Sequence, residues 1–254
     1  KIDLHIHTTA SDGSLTTDRI LSQAAACGLA AISITDHDTV AGVIAALEHG
    51  IPDALAFMTG VEISAEYPPG FDASGSMHLL GYGFDPHNGP LARLLEKQQQ
   101  SRSQRNPRIL EKLAETGIEL EMEALAEKAG NSGIARPHIA ALLVEKGHAA
   151  SIDDAFDRYL GKGCPAYVDR FRISARSAIT HIQNAGGIAA LAHPGLIPQG
   201  LTGGPIAGRL EKLLTDLKAM GLGGLEVYYS GHSPEQTASL MNLADKFHLL
   251  PTGG

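Results

Sequence analysis

Two histidines form the pattern in the sequence that most directly suggests chemistry. His5 and His7 alternate with apolar residues in Ile2-Asp3-Leu4-His5-Ile6-His7. The two-residue period of a strand places both imidazoles, together with Asp3, on one face. Imidazole is the commonest metal ligand among side chains. A polar barrel lining gives the same alternation, so the pattern by itself leaves a metal site and a polar lining open.

Other apolar runs are also accompanied by residues of the ligand type. Asp12 follows the first run within Ser11-Asp12-Gly13-Ser14, and His37 closes the second within Thr35-Asp36-His37-Asp38. Glu62, His78 and His193 accompany three later runs. Taken singly, each suits a turn, a helix N-cap or a buried imidazole. Because a barrel gathers the ends of its strands on one face, the set together favours a shared metal site.

Short apolar runs, predicted to be strands, carry these residues. The runs alternate with helical patterns. The helical patterns cover residues 18–27, 40–48 and 175–184, and glycines follow them closely. Such alternation predicts a parallel sheet or barrel with crossover helices. The predicted strands cover residues 2–7, 30–35, 56–63, 77–82, 187–192, 224–229 and 247–251.

The strand rhythm stops between residues 90 and 163. Segments rich in Glu, Lys, Gln and Ala at 91–104 and 106–115 predict successive helices, and strand rhythm resumes at 166–168. We therefore predict a barrel formed by residues 1–89 and 164–254 and a helical insertion at residues 90–163. Because its ends lie between barrel strands, the insertion is expected to act as a lid that substrate orders.

Composition narrows the class of protein. The chain has 254 residues and a formal net charge of -8, which argues against a basic clamp for long nucleic acid. It holds no apolar stretch of the ~18 residues that a membrane span needs, so we expect no membrane partner. Cys27 and Cys164 lie far apart and suit reduced cytosolic thiols, so a cytoplasmic location is expected. Nothing in the sequence predicts an oligomeric state.

The sequence resembles the PHP (polymerase and histidinol phosphatase) family of phosphoesterases. The resemblance implies a distorted (β/α)7 barrel that carries two or three divalent metal ions and a helical insertion. The matching strings are Asp3-Leu4-His5-Ile6-His7-Thr8, Ser11-Asp12-Gly13, Thr35-Asp36-His37-Asp38, Gly60-Val61-Glu62-Ile63, Met77-His78-Leu79-Leu80-Gly81-Tyr82 and Ala192-His193-Pro194. The ligands implied are His5, His7, Asp12, His37, Glu62, His78 and His193, with Glu62 as the bridging carboxylate.

The implied metal ions account for the chemistry without a side-chain nucleophile. Adjacent divalent ions lower the pKa of a bridging water and clamp phosphoryl oxygens, so that hydroxide attacks phosphorus in line. Motifs for a serine nucleophile, a phosphate loop or a zinc ribbon are missing from the sequence. Mixed imidazole and carboxylate ligands suit Mn, Fe or Zn, and Mn is the working choice. His193 and His232 are candidate proton donors or phosphate contacts.

Substrate contacts are expected from cations of the insertion. Arg136 leads, because its planar fork matches phosphate oxygens, although a solvated arginine at a helix start gives the same sequence. Lys162, His138 and Arg170 are further candidates. The strings at residues 133–140 and 232–236 resemble the bacterial branch that includes 3',5'-nucleoside bisphosphate phosphatase and the exonuclease ribonuclease AM.

The predicted function is hydrolysis of the 3'-phosphate of a nucleoside 3',5'-bisphosphate such as pAp. A 5'-to-3' exonuclease on short single-stranded RNA or DNA is the second enzyme hypothesis, and the acidity of the chain favours the smaller substrate. Histidinol phosphate is a third substrate, which the branch strings disfavour. The family's last motif, Ser-Asp-x-His, is absent where the chain stops at Gly254. We expect that the chain was trimmed there; otherwise a non-catalytic nucleotide-binding module is the alternative.

Overall fold

A computed structural model describes residues 1–71, 76–129, 136–169, 171–197 and 206–254 of the chain. The chain divides into two compact units, the first formed by residues 1–96 and 172–254 and the second by residues 97–171. The barrel and insertion were predicted at 1–89 with 164–254 and at 90–163. Among the described helices, none combines the length and the apolar character that crossing a membrane requires.

Strands and helices alternate through the first unit, and helices make up the second. The strands are β1 (Ile2–Ile6), β2 (Ala31–Ile34), β3 (Ala56–Glu66), β4 (Met77–Tyr82), β5 (Ile173–Ser174), β6 (Ile188–Leu191), β7 (Gly224–Tyr228) and β8 (Leu250–Gly253). The α-helices are α1 (Thr17–Ala26), α2 (Ala41–His49), α3 (Gly89–Glu115), α4 (Met122–Ala129), α5 (Arg136–Glu145), α6 (Ile152–Ala155), α7 (Ala175–Asn184), α8 (Ile206–Ala219) and α9 (Pro234–Phe247).

The strands form a nearly closed barrel. Their order is β1-β2-β3-β4-β6-β7-β8, and β5 pairs with the end of β3. Gly254 directly follows β8 and lies against β1, since a Cβ added there would lie 2.6 Å from the backbone nitrogen of His5. This arrangement, with helices between the strands, confirms the predicted α/β barrel and its seven strand runs.

The expectation of a parallel sheet is wrong at β4, which is antiparallel to both β3 and β6. Ten residues, 67–76, separate β3 from β4. A parallel return needs a crossover of about a dozen residues or more, so a connection this short favours the antiparallel direction. The reversal brings the start of β4 to the edge of the barrel where the neighbouring parallel strands end.

Two local predictions also need correction, and one short strand was missed. α3 is one continuous helix of 27 residues with Pro107 inside it, although the sequence predicted two helices with a break before residue 106. The strand rhythm expected at 166–168 corresponds to no strand. Ala166 and Val168 are apolar because they are buried in the core of the second unit, together with Ile109, Leu113, Leu125, Ile139, Leu143 and Leu160. The two-residue strand β5 was not predicted.

The loop between β1 and α1 is held by the buried carboxylate of Asp36. Its Oδ1 accepts hydrogen bonds from the Thr8 amide at 2.7 Å and the Ser11 hydroxyl at 2.6 Å, and Oδ2 accepts from the Thr8 hydroxyl at 2.8 Å. Gly42, in α2, packs against this carboxylate so closely that an added Cβ would lie 2.1 Å from Asp36 Oδ2. The loop that carries Asp12 therefore depends on a glycine in α2.

Gly42→Ala should destabilise the protein by about 1–3 kcal/mol, because the added methyl displaces a carboxylate with three hydrogen bonds. Urea unfolding measures the loss. Gly208→Ala is the matched control, since Gly208 also lies in a helix and a Cβ there meets nothing within 4 Å. That variant should be neutral or gain up to about 1 kcal/mol from helix propensity. Equal unfolding midpoints for the two variants would contradict this account of Gly42.

Candidate metal centre

The carboxylate of Glu62 is the centre of the candidate site. Glu62 lies within β3 and its side chain is only 1% exposed. Its Oε2 lies 3.2 Å from His5 Nε2, 3.0 Å from His7 Nε2 and 3.2 Å from His37 Nδ1. Its Oε1 lies 2.9 Å from His78 Nδ1 and 2.9 Å from His193 Nε2. One buried carboxylate therefore divides five imidazoles into two sets.

Asp12 extends the set around Oε2. Its two carboxylate oxygens lie 2.9 Å from His7 Nδ1 and 3.6 Å from His37 Nε2. The side chain of Asp12 is half exposed, so it closes the site on the solvent side. Among the described residues, three groups of side chains offer ligand atoms close enough together for a metal ion: His5, His7 and Glu62; His7, Asp12 and His37; and His37, Glu62 and His78.

The barrel edges explain why these residues meet. β1, β2 and β6 end at or just before the histidines of the site, as expected for a barrel whose site lies at the strand ends. His78 instead lies at the beginning of β4, opposite Ser64 of β3. It joins the others because β4 runs in the opposite direction. The structure thus brings together all seven residues that the sequence singled out as ligands.

Glu226 is a further carboxylate of the site that the sequence analysis missed. It lies in β7, is fully buried, and its Oε1 lies 2.8 Å from His5 Nδ1. Its Oε2 accepts a hydrogen bond from the backbone amide of His193. Glu226 thus holds one histidine from each of the two sets around Glu62. The signal in the sequence was a charged residue inside the apolar run Gly224–Tyr228, where a buried charge requires a partner.

Burial and ion pairing shift the pKa values of the cluster in opposite directions. Burial works against a charged His5, but hydrogen bonds to Glu226 and Glu62 outweigh it and raise the pKa of His5 to about 10. Burial outweighs the attraction of Glu62 at His37 and lowers the pKa of that imidazole to about 4. Burial also opposes ionisation of Glu62, yet its histidine partners, led by His193 and His5, hold its pKa well below the usual value. The cluster therefore keeps Glu62 ionised and His37 neutral.

The donor set fits divalent metal ions. His37 Nδ1 is buried and makes no hydrogen bond, although it lies 3.2 Å from Glu62 Oε2. A buried ring nitrogen without a hydrogen bond is available to a metal. At His5, Glu226 holds a proton on Nδ1, so a metal ion would bind Nε2 by displacing only the proton that Nε2 shares with Glu62. Imidazole and carboxylate without thiolate suit Mn, Fe or Zn.

His232 and Tyr229 lie beside the cluster. His232 Nδ1 lies 3.0 Å from the Val227 carbonyl oxygen, so Nδ1 carries the proton, and Nε2 accepts from the Gly195 amide at 3.2 Å. Both ring nitrogens are thereby engaged with the backbone, and a proton-donating role for His232 stays a prediction. The Tyr229 ring, which the sequence analysis did not single out, lies 5.6 Å from the His193 ring, and burial raises its pKa. Its hydroxyl is therefore protonated at neutral pH.

Three of the four predicted substrate contacts lie in the described part of the second unit. Arg136 begins α5, where its Nη1 donates to the Leu160 carbonyl oxygen at 3.4 Å and its guanidinium faces the Phe156 ring. Lys162 is exposed, and His138 is half-buried within α5. Arg170 and residues 131–135 of the expected lid lie outside the described residues. The roles of these side chains stay predictions.

Comparison with known proteins agrees with this fold and site. The PHP domain family matches residues 3–162, and the chain belongs to this family. A 5'-3' exoribonuclease of Haemophilus influenzae is 35% identical over 98% of this chain and 86% of its own length. A 3',5'-nucleoside bisphosphate phosphatase of Chromobacterium violaceum is 32% identical over 100% of this chain and 85% of its own length. The protein is therefore a hydrolase that acts on phosphate esters.

A solved structure leads to the same class. A candidate metal-dependent phosphoesterase from Bifidobacterium adolescentis superposes with a TM-score of 0.71 at 31% identity, over 100% of this chain and 86% of that one. Both the family and the His and Glu cluster thus point to a metal-dependent phosphoesterase.

Glu226→Gln should weaken metal binding by about 10- to 100-fold, as is typical when the partner of a metal-ligating histidine is lost. The amide keeps one oxygen but cannot accept hydrogen bonds from both His5 and His193. Competition with a chelator measures the affinity. Glu48→Gln, an exposed carboxylate on α2, is the control and should bind metal like the parent protein. Unchanged affinity in Glu226→Gln would show that Glu226 does not orient His5.

Proposed function

We propose that the chain hydrolyses the 3'-phosphate of a nucleoside 3',5'-bisphosphate at a centre of two or three divalent metal ions. The supporting observation is the division of five imidazoles between the two oxygens of Glu62. A carboxylate with imidazoles beside both of its oxygens suits a bridging position between two metal ions. The ligands of this proposal are His5, His7, Asp12, His37, Glu62, His78 and His193. Mn is the proposed metal, and the cytoplasm is the proposed location.

The chain's own residues would prepare this centre. Metal ions bound there supply Lewis acidity, which lowers the pKa of a water and neutralises charge on phosphoryl oxygens. Glu226 orients His5 through Nδ1 and fixes the backbone of His193. Asp36 holds the loop that carries Asp12. Glu62, Glu226 and Asp12 together supply negative charge that offsets divalent cations, so the imidazoles can serve as neutral ligands.

The relatives support a nucleotide substrate, but one is named for a nucleoside bisphosphate and another for RNA. The bisphosphate phosphatase from C. violaceum supports the small substrate, and the net charge of -8 disfavours a long polyanion. We propose that Arg136 contacts the phosphate that is not cleaved, because a guanidinium matches phosphate oxygens in two parallel hydrogen bonds. Lys162, His138 and Arg170 are proposed as secondary contacts of the same substrate.

A 5'-to-3' exonuclease activity on short single strands is the second candidate. The H. influenzae exoribonuclease, at 35% identity, is the observation that favours it. Both reactions break a phosphate ester and differ in whether phosphate or a mononucleotide leaves. Rates on adenosine 3',5'-bisphosphate and on a 5'-phosphorylated pentaribonucleotide, measured with one metal-loaded preparation, rank the two. A higher kcat/KM on the bisphosphate supports the proposal, and a higher value on the pentanucleotide replaces it with the exonuclease.

Glu62→Gln should lose most bound metal and at least about a thousandfold in kcat/KM, because several kcal/mol of charge stabilisation depend on the metal centre. Elemental analysis after dialysis and a phosphate-release assay measure the two losses. Glu66→Gln is the matched control, since Glu66 ends the same strand and is exposed. Full metal content and full activity in Glu62→Gln would remove Glu62 from the proposed ligand set.

Arg136→Ala should lower kcat/KM for a bisphosphate more than for a 3'-monophosphate. A charge-assisted contact is worth ~1.5–3 kcal/mol, so kcat/KM on a bisphosphate should fall by roughly ten- to over a hundredfold. A 3'-monophosphate lacks the contacted group and should lose little. Arg136→Lys keeps the charge without the fork and should fall between the two. Equal losses on both substrates would place Arg136 at the cleaved phosphate or in the framework, through its contacts with Leu160 and Phe156.

A further inference from the structure

A tyrosine that directly follows β7 lies against the candidate metal centre. The centroid of the Tyr229 ring lies 5.6 Å from that of the His193 ring and 6.2 Å from that of the His5 ring, and both histidines are proposed ligands. The Tyr229 ring also lies 5.3 Å from the ring of His232, with an angle of 62° between the two planes. One phenol ring therefore packs beside three imidazoles, and the proposed function gives it no role.

An irregularity in β7 explains why Tyr229, and not Tyr228, faces the histidines. Glu226 is paired with Thr252 of β8, but Tyr228 is paired with the very next residue, Gly253, so β7 holds one extra residue at this point. In a regular strand, Tyr228 would share the face of Glu226. The extra residue moves that face on by one position, and Tyr228 is instead 55% exposed. The two adjacent tyrosines therefore have different surroundings.

Close packing holds the Tyr229 ring in position. A Cβ added at Gly231 would lie 2.9 Å from Tyr229 Cε1, so a larger residue at position 231 would displace the ring. The His232 amide donates to the Tyr229 carbonyl oxygen at 2.9 Å, which closes the turn after β7. The His232 ring is itself held by the Val227 carbonyl oxygen and the Gly195 amide. The ring of Tyr229 is thus positioned before any ligand binds.

The Tyr229 hydroxyl is a hydrogen-bond donor that no described residue uses. It makes no hydrogen bond within the described part of the chain, and it is open to solvent although the residue is half-buried. Burial raises the pKa of this hydroxyl, and the charges of Glu226 and Glu62 add to the shift. The hydroxyl therefore lies within electrostatic range of both buried carboxylates and remains accessible to a ligand.

A neutral donor at this place is suited to an anionic oxygen. A cationic side chain beside the cluster would compete with metal ions for Glu62 and Glu226, whereas a tyrosine hydroxyl offers a donor without adding charge. Hydrogen bonds to ionised acceptors are roughly twice as strong as those between neutral groups. Fixed donors that face developing negative charge are also a common source of transition-state stabilisation. The expected acceptor is therefore a phosphoryl oxygen.

We propose that the Tyr229 hydroxyl donates a hydrogen bond to an oxygen of the phosphate group that is cleaved at the metal centre. This inference rests on the proposed function, because it takes the metal centre as the place where the phosphate binds. It adds a substrate contact from the first unit to those proposed for the second. The contact applies to either candidate substrate, since a bisphosphate and an oligonucleotide both present a phosphate group to the centre.

Calorimetric titration of the metal-loaded enzyme with inorganic phosphate tests this contact. Tyr229→Phe keeps the ring beside the histidines and removes only the hydroxyl. The variant should bind phosphate at least about tenfold more weakly, as expected when a hydrogen bond to a charged group is lost. Its metal content, measured by elemental analysis after dialysis, should equal that of the parent protein, because the hydroxyl is not one of the proposed ligands.

Tyr228→Phe is the matched control, since it removes the same hydroxyl from the adjacent, exposed tyrosine. It should keep the parent affinity for phosphate. Parent affinity in Tyr229→Phe, or equal weakening in both variants, would overturn the proposal. Loss of metal from Tyr229→Phe would also overturn it, because the hydroxyl would then act on the ligands, and so would a metal-loaded parent protein that binds no phosphate. A parent protein that binds phosphate but releases none from a bisphosphate would contradict the proposed phosphatase substrate alone.

Discussion

Glu62 is the constraint on which the rest of the site depends. A carboxylate that is 1% exposed is costly to bury unless it is fully paired, and here five imidazoles face its two oxygens. In the same cluster, the Nδ1 atom of His37 is buried without a hydrogen bond. A divalent ion held by these residues would offset the charge of the carboxylate and would take the lone pair of that imidazole.

Other residues of the barrel hold the side chains and loops of this polar cluster in position. Glu226 on β7 holds His5 and the backbone of His193, and Asp36 after β2 holds the loop that leads to Asp12. Gly42 gives Asp36 the space it occupies. His5, His193 and Asp12 are thus each supported by a residue from another part of the barrel. Rigid support of this kind is what keeps metal ligands within the tolerance that catalysis needs.

The charge of the metal centre bears on the substrate that it could take. The described centre is built from carboxylates and imidazoles. A phosphoester substrate is itself negatively charged, so it would suit this site once divalent metal ions offset the charge of the carboxylates. The proposed nucleotide substrate rests on this complementarity and on the named relatives. Its size is the point on which the two named relatives differ.

Local pattern in the sequence determined the strand runs, helices α1, α2 and α7, and the identity of the seven residues, Glu62 among them, that meet in the candidate metal centre. These features depend on the alternation of short apolar runs with helices, on the two-residue period at His5 and His7, and on strings that resemble one family. Period and spacing are local properties, so they can be recognised without a structure. The same local patterns divided residues 91–115 into two helices, whereas the structure has one continuous helix with Pro107 inside it.

Tertiary structure alone decided the direction of β4 and the partner of each carboxylate. His78 reaches Glu62 from the beginning of a strand because the chain reverses between β3 and β4. The short connection favours that direction, but only the strand pairing places His78 beside Glu62. In the sequence, Glu226 is one charged residue in an apolar run. The structure shows that it contacts both His5 and the backbone of His193. Strand pairing joins residues more than a hundred positions apart, so the contacts of a buried carboxylate follow from the closed barrel and not from its neighbours in sequence.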